Sequence, residues 1–182
     1  MDIYDVETRL QRALEGKSEK DRNLDRLPLN DRDLSGLDLS GISAEWADFS
    51  GSYLPGTDLT DAKLSDARFV GANLTNADLS QVEALRADFS NASLSGVSFR
   101  DAYLVGANFT GANLHKADLS GAVLEDAEFS GADLSQANLT GVETLGFELD
   151  AALHLPLSWL GNLLHPILKA RRQKRRDRDA KK

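Results

Sequence analysis

The chain has 182 residues, a net charge of −8 and no cysteine. Its length favours a single domain, and the lack of cysteine excludes a disulfide framework, a cysteine-ligated metal site and a thiol nucleophile. No run of about 18 apolar residues is present, so the sequence predicts no membrane span.

The N-terminal segment has the pattern of an amphipathic helix. Ile3, Val6 and Leu10 recur at helical spacing, and Gly16 suits the end of a helix. We therefore expect a capping helix within residues 1–20. This segment lacks the basic start and apolar stretch of a secretory signal, which favours a cytoplasmic protein.

A five-residue repeat dominates the rest of the chain, and it is regular from about residue 35 to residue 146. Of the 22 units between residues 37 and 146, 19 have Leu or Phe at the centre and 15 have Ala two residues earlier. These two positions have strand spacing, and the Asn, Asp, Ser and Gly between units are typical of turns. A period of five makes no stripe on a helix. Residues 21–146 therefore form a predicted β-solenoid with an irregular first coil.

Phenylalanines indicate how many units make one coil. They recur every 20 residues, which predicts four units per coil, about 5–6 coils and a square cross-section. Parallel stacking and the usual chirality of crossovers favour a right-handed coil. The predicted core column consists of Phe49, Phe69, Phe89, Phe109 and Phe129.

Runs such as ANLTNADLS and GANFTGANLHKADLSGA resemble the pentapeptide repeat family, whose consensus is A(D/N)LXX. The resemblance implies an all-β, right-handed quadrilateral parallel β-helix in which the central residue and the alanine point inwards. It also implies a possible partner, because some members of the family bind DNA gyrase or topoisomerase IV by imitating duplex DNA, and some of these confer fluoroquinolone resistance.

Two outward columns of the predicted solenoid are acidic. Like charges one coil apart repel, so such columns cost stability unless they have partners. Residues 37–146 carry a net charge of −11, which suits a basic partner surface. The candidate acidic face consists of Asp38, Asp58, Asp78 and Asp118 in one column and Asp48, Asp88 and Glu128 in the other.

One of the other two outward columns departs from the repeat, because its centres include Ala44, Ala84 and Thr144 and its outward positions include apolar residues. A contiguous exposed apolar stripe indicates a contact. The alternatives are a terminal helix of the same chain, a partner or second subunit, or scatter without meaning. The candidate docking stripe consists of Trp46, Leu85, Tyr103, Val105, Val123 and Leu145.

Residues 147–168 form a second helical pattern after the repeats, in which Pro156 suits a first turn and Pro166 suits a break. We expect this segment to cap the last coil or to form a homodimer contact, the latter because the gyrase-binding members of the family that it resembles dimerise through their C-terminal ends. A helix on a membrane surface is the remaining alternative, because a basic segment follows Trp159. Its candidate contact residues are Leu153, Leu157, Trp159, Leu160, Leu163, Leu164, Ile167 and Leu168.

The tail, residues 169–182, has nine basic and two acidic residues. It could remain solvated, fold back on the acidic solenoid, or contact nucleic acid or an anionic membrane surface.

No catalytic or cofactor site is predicted. His115, His154 and His165 lack metal-ligand spacing, the carboxylates follow the repeat, and the predicted interior is filled. We therefore expect a non-enzymatic scaffold for an unknown protein partner, with a DNA mimic that binds gyrase as the alternative.

Overall fold

The structure is a computed structural model that describes residues 3–16, 18 and 21–143. Helix α1 spans Ile3–Glu15 and precedes a continuous stack of coils. In each unit the residue before the centre pairs in parallel with the residue 20 positions later, from Asn23 with Ser43 to Val123 with Glu143. One coil therefore contains 20 residues, or four five-residue units.

The four units of a coil define four faces, which we number by their buried central residues. Face 1 contains Leu24 and every twentieth residue to Leu124, and face 2 contains Leu29 and the five phenylalanines that follow at the same interval. Face 3 runs from Leu34 to Leu134 and face 4 from Leu39 to Leu139. Faces 1 and 3 lie opposite each other, as do faces 2 and 4.

Backbone hydrogen bonds join each coil to the next. On face 2, the Phe69 N–H donates to the Asp88 carbonyl at 2.7 Å, and the Asp88 N–H donates to the Ala67 carbonyl at 2.9 Å. The same pair of bonds recurs on all four faces. The short extended pieces are therefore satisfied by their neighbours along the stack, as parallel pairing requires.

A tight turn forms each corner. At one of them the Ala77 N–H donates to the Leu74 carbonyl at 3.0 Å, and Asn76 between them has φ of +56°. This hydrogen bond with a positive φ at the third position defines a type II turn, which favours Gly or Asn there. Gly, Asn or Asp occupies this position in most units, and the other corners hold Arg26, Trp46, Gln81, Arg86, Lys116 and Gln136.

The interior is filled by the central residues and the alanines. The five face 2 phenylalanines form a parallel stack whose consecutive ring centroids lie 4.7 to 5.1 Å apart. Phe99 on face 4 meets Phe89 and Phe109 edge to face across the coil. All of these rings are buried, so opposite walls of the solenoid are in direct contact.

Helix α1 packs on the N-terminal end of the stack. Val6, Leu10 and Ala13 are buried there, and the Arg9 guanidinium donates to the Asn23 carbonyl at 3.1 Å and to Asn23 Oδ1 at 3.0 Å. Parallel pairing already begins at Asn23, within the part of the chain where the sequence suggests an irregular coil.

Two arginines occupy positions of the first coil that elsewhere hold alanine. The side chain of Arg22 donates to the carbonyls of Ala13 and Ser40, and that of Arg32 forms an ion pair with Glu7 of α1. These long side chains fit because they leave the core at its end, where they reach the helix instead of a preceding coil.

The opposite end of the core is less covered by the described residues. Ala132, Ala137, Leu139 and Val142 are only partly buried, although they occupy the same kind of position as fully buried residues one coil earlier. The predicted cap or dimer contacts in residues 147–168, the tail and Leu145 lie outside the described residues. Within the described residues, no helix is long and apolar enough to cross a membrane.

Candidate interaction surface

The described interior offers no polar group for chemistry. Its buried polar side chains at the alanine position are Ser52 and Thr57, which donate to the carbonyls of Phe49 at 2.5 Å and Leu34 at 2.8 Å. All other buried side chains of the core are apolar. Any contact with another molecule must therefore use the outer faces, the corners or the ends.

A side-chain acceptor fixes the outer face of most units. The Asp or Asn directly before the centre accepts a hydrogen bond from the backbone N–H directly after it, as Asp58 Oδ1 does from Thr60 at 2.9 Å. The carboxylate or amide oxygen thereby satisfies a backbone group that the coil-to-coil pairing leaves free. The acceptors are Asn23, Asp33, Asp38, Asp48, Asp58, Asn73, Asp78, Asp88, Asn108, Asn113, Asp118, Asp133 and Asn138.

Sequence reasoning did not find this role, although the signal was present. Asp or Asn precedes the centre of many units and Ser or Thr often follows it. In several units the hydroxyl also donates to the same oxygen, as Ser40 Oγ does to Asp38 Oδ1 at 2.6 Å. The repeat therefore specifies a fixed, hydrogen-bonded carboxylate or amide in addition to a turn.

The acidic column (Asp38, Asp58, Asp78 and Asp118) lies on face 4. Asp38, Asp58 and Asp78 occupy three successive coils, about 4.8 Å apart along the stack, and Ser98 separates Asp78 from Asp118. The structure thus places all four carboxylates on one face, with one interruption.

Polar and basic side chains offset the negative charge at the two ends of the acidic column. Asn138 Nδ2 donates to Asp118 Oδ1 at 3.0 Å, and Arg100 Nη1 lies 4.0 Å from Asp118 Oδ2. At the other end Arg22 Nη2 lies 3.8 Å from Asp38 Oδ1. Among the described residues no basic side chain pairs with Asp58 or Asp78, so the middle of the column keeps unpaired negative charge.

Hydrogen bonds also change the acidity of individual carboxyl groups. The Ser40 hydroxyl and backbone N–H lower the pKa of Asp38, and the Ser35 hydroxyl and backbone N–H do the same for the pKa of Asp33. A lowered pKa means that the charged form is favoured in the folded protein. The fold therefore stabilises these negative charges at its surface.

The second acidic column lies on face 2 and is more evenly compensated. Arg68 stands between Asp48 and Asp88 in successive coils, and Asn108 Nδ2 donates to Asp88 Oδ1 at 3.2 Å. Glu128 follows Asn108 in the next coil. Because Arg68 and Asn108 alternate with the acids, face 2 is less negative than face 4.

Face 1 carries the candidate docking stripe, but the structure divides it. Tyr103 and Val123 pair in neighbouring coils, and Leu85 and Val105 are likewise one coil apart on the other side of the buried centres. Tyr103 is 53% exposed, and the other three are half-buried. Trp46 is 55% exposed but lies at a corner two coils before Leu85, beyond Ser65 and Asp66.

Sequence and structure comparisons agree with this architecture. The family model for pentapeptide repeats matches eight copies in residues 45–81, 86–121 and 102–141. No curated protein matches the chain significantly.

Similar solved structures are also pentapeptide repeat proteins. One, from the thylakoid lumen of Arabidopsis thaliana, is 36% identical over 57% of this chain and 69% of its own, with a TM-score of 0.46. A second, from the cyanobacterium Cyanothece 51142, is 24% identical over 80% of this chain and 97% of its own, with a TM-score of 0.52. A third, the plasmid-mediated fluoroquinolone resistance protein QnrB1, is 20% identical over 68% of this chain and 87% of its own, with a TM-score of 0.28. The chain belongs to the pentapeptide repeat family, whose members are right-handed quadrilateral β-helices.

Proposed function

We propose that this protein is a non-enzymatic, cytoplasmic interaction scaffold that presents the outer faces of its acidic β-helix to a protein partner. The observation that carries the proposal is the acidic column on face 4, where backbone N–H groups hold successive carboxylates in fixed positions. A basic protein surface is the complementary partner.

Fixed carboxylates suit recognition for an energetic reason. Ordering a flexible side chain on binding costs about 0.5–1.5 kcal/mol, and a side chain that is already held by hydrogen bonds avoids most of this cost. Charge of one sign along a rigid face also steers a partner of opposite sign and raises the rate of encounter. Asp58 and Asp78, which have no ion-pair partner among the described residues, supply the charge for such a contact.

Face-resolved photo-crosslinking in the native host cell tests the proposal. A photoreactive residue is placed at one exposed turn position on each face, at Gln81 for face 4, Asn91 for face 2, Lys116 for face 3 and Asp126 for face 1. We expect one discrete partner to be captured mainly from the face 4 position. Equal capture from all four faces, or none, would contradict a specific acidic docking face.

A second candidate function is DNA mimicry toward DNA gyrase or topoisomerase IV, with an effect on fluoroquinolone sensitivity. The observation that favours it is charge density. The net charge of −11 between residues 37 and 146 extends over about 26 Å, if each coil adds about 4.8 Å. That is one charge per about 2.4 Å, which approaches the one per about 1.7 Å of duplex DNA.

A supercoiling assay with purified gyrase separates the two candidates. A mimic inhibits supercoiling or protects gyrase from drug-induced cleavage, and the effect weakens steeply as salt rises. Changing Asp38, Asp58, Asp78 and Asp118 to Asn should remove the effect. No effect at a large excess of protein would leave the general scaffold as the function and reject gyrase as its partner.

The homodimer contact through residues 147–168 and the anionic contact of residues 169–182 remain predictions from the sequence. Light scattering at two protein concentrations tests the first, because a dimer dissociates on dilution. Binding of the full chain and of a chain ending at residue 168 to duplex DNA and to anionic vesicles tests the second. Loss of binding on truncation is the expected result for a tail that tethers the protein.

A further inference from the structure

The apolar part of face 1 is a compact patch of four outward side chains, Leu85, Tyr103, Val105 and Val123. Tyr103 and Val105 flank the same buried leucine, so they point outwards from one coil. Val123 pairs with Tyr103 in the next coil, and Leu85 lies beside Val105 in the previous one. We call these four residues the face 1 patch.

Acidic residues border the face 1 patch on several sides. Glu83 precedes Tyr103 in the same column, Glu125 follows Val105, and Asp126 and Glu143 complete the boundary toward the end of the stack. None of these four acids forms an ion pair among the described residues. Arg86, at the corner beside Leu85, is already paired with Asp66, and Lys63 lies one coil before Glu83. The surface is therefore apolar at its centre, and its unpaired acids lie mainly toward the end of the stack.

We propose that the face 1 patch binds the C-terminal segment of the same chain. Residues 147–168 would cover the apolar centre, and the basic residues of 169–182 would lie among the surrounding acids. Such a contact removes apolar surface from water and pairs unmatched charges of opposite sign.

The point where the described chain ends supports this occupant. Glu143 is the last described residue, and it pairs with Val123 as the next member of the Tyr103 and Val123 column. The chain therefore leaves the last described coil on face 1, and the residues that follow start next to the patch. A partner of the same chemistry would have to compete with a segment that is already tethered there.

Length and composition also fit. The patch extends over about two coils, or roughly 10 Å, whereas 22 residues span about 33 Å as a helix and about 70 Å when extended. Residues 147–168 contain eight leucines, one isoleucine and Trp159 among their apolar residues, and residues 169–182 carry nine basic and two acidic residues. The chain beyond Glu143 thus has the reach, the apolar content and the charge that the surface requires.

This inference does not depend on the proposed function. The acidic column lies on face 4, so face 4 can bind a partner whether or not face 1 is covered. The experiment below reads out only the position of the chain's own segment, and its failure leaves the proposed function untouched.

Tryptophan fluorescence tests the contact in the full-length chain. The chain has two tryptophans, so Trp46→Phe leaves Trp159 as the sole reporter, and Trp46 lies away from the patch. In this background we compare two double variants. One combines Tyr103→Glu and Val105→Glu on face 1, and the matched control combines Ser93→Glu and Ser95→Glu on the opposite face, face 3. Both pairs flank a buried leucine at equivalent positions of face 1 and face 3.

We expect Trp159 to emit at short wavelength and to resist quenching by acrylamide in the background chain and in the face 3 variant. In the face 1 variant its emission should shift to longer wavelength and its quenching should rise severalfold, while a cooperative thermal transition shows that the solenoid remains folded. If the double variant does not fold, Leu85→Glu provides the same test with a single change.

Three results would overturn the proposal. Trp159 could be exposed in the background chain, or it could be equally shielded in the face 1 and face 3 variants, which would place the segment elsewhere. Shielding that disappears on dilution, together with a dimer mass in light scattering, would assign the occupant to a second copy of the chain.

Discussion

Phe89 and Phe99 project from opposite faces of one coil and meet edge to face, with their ring centroids 5.4 Å apart and their planes at 76°. Phe89 also stacks in parallel between Phe69 and Phe109, at 4.9 and 5.1 Å. The two arrangements lock opposite walls of the solenoid together and leave no lumen at this level. The interior at this level is therefore filled and rigid.

Replacing Phe89 with alanine should destabilise the protein by about 3–5 kcal/mol, because a buried aromatic ring with three ring partners is lost. Tyr53→Ala is the matched control, since Tyr53 is 49% exposed and should change stability by only about 0.5 kcal/mol. Urea denaturation measures both. Similar costs for the two variants would mean that the phenylalanine column is not the core.

Enlarging an interior alanine should also be costly. Ala107 is fully buried within the stack, so Ala107→Leu overpacks the coil and should destabilise it by about 1–3 kcal/mol. Ser93→Leu introduces the same side chain at an exposed position of face 3 and should be close to neutral. Thermal unfolding of both variants measures the difference in stability. An unchanged midpoint for Ala107→Leu would argue against a filled interior.

Two substitutions of Asp78 separate the effect of its charge on stability from the effect of its hydrogen bond. Asp78 Oδ1 accepts from the Ser80 N–H at 2.9 Å, a role that Asn73 performs in the same way on face 3. We expect Asp78→Asn to be neutral or slightly stabilising, because repulsion from Asp58 also falls, and Asp78→Ala to cost about 1 kcal/mol. Equal costs for both changes in chemical denaturation would reject the acceptor role.

Two corner glycines on face 2 differ in what lies over them. Gly71 and Gly111 have nearly equal φ values of +66° and +68°, but an added Cβ meets nothing within 4 Å at Gly71 and Asn91 Oδ1 at 2.6 Å at Gly111. Gly71→Ala should cost about 1 kcal/mol for the left-handed conformation alone. Gly111→Ala should cost more, and an Asn91→Gly background should remove the difference. A difference that survives in that background would mean that Asn91 is not its cause.

Acid should destabilise the fold through its hydrogen-bonded carboxylates. Serine donors lower the pKa of Asp33, Asp38 and Asp133 in the folded protein, whereas the unfolded chain keeps a value near 4. Their contribution to stability is therefore complete above about pH 4 and is lost as the pH falls through the lower folded values. Changing all three to Asn should flatten the decline of urea midpoints between about pH 5 and pH 2.5. An unchanged decline would show that other groups control acid unfolding.

The repeat itself could be predicted from the sequence because every coil obeys the same rule. Central Leu or Phe with Ala two residues earlier determines which side chains point inwards, and the 20-residue spacing of Phe69 and Phe89 sets four units per coil. In the structure, each paired residue lies 20 positions from its partner, which is the same period as the phenylalanine spacing. Short, local regularities were therefore sufficient for the architecture.

Contacts that break the rule could not be predicted. Phe99 meets Phe89 across the coil through packing of side chains that the repeat does not distinguish from leucine, and Arg22 and Arg32 occupy alanine positions because α1 lies next to them. The role of Asp58 as a hydrogen-bond acceptor required the position of the Thr60 N–H. The exact arrangement of the candidate surface therefore needed three-dimensional geometry.

The most direct test of the proposed acidic docking face compares two variants of equal net charge. The first variant replaces the four residues of the acidic column, Asp38, Asp58, Asp78 and Asp118, with Asn. The second also replaces four aspartates with Asn, but these lie elsewhere on the surface, at Asp31, Asp33, Asp126 and Asp133. Photo-crosslinking from Gln81 measures partner capture by each. We predict that the first variant loses capture and the second retains it. Equal loss in both would reduce the interaction to net charge, and full capture by the first would contradict a docking face at the acidic column.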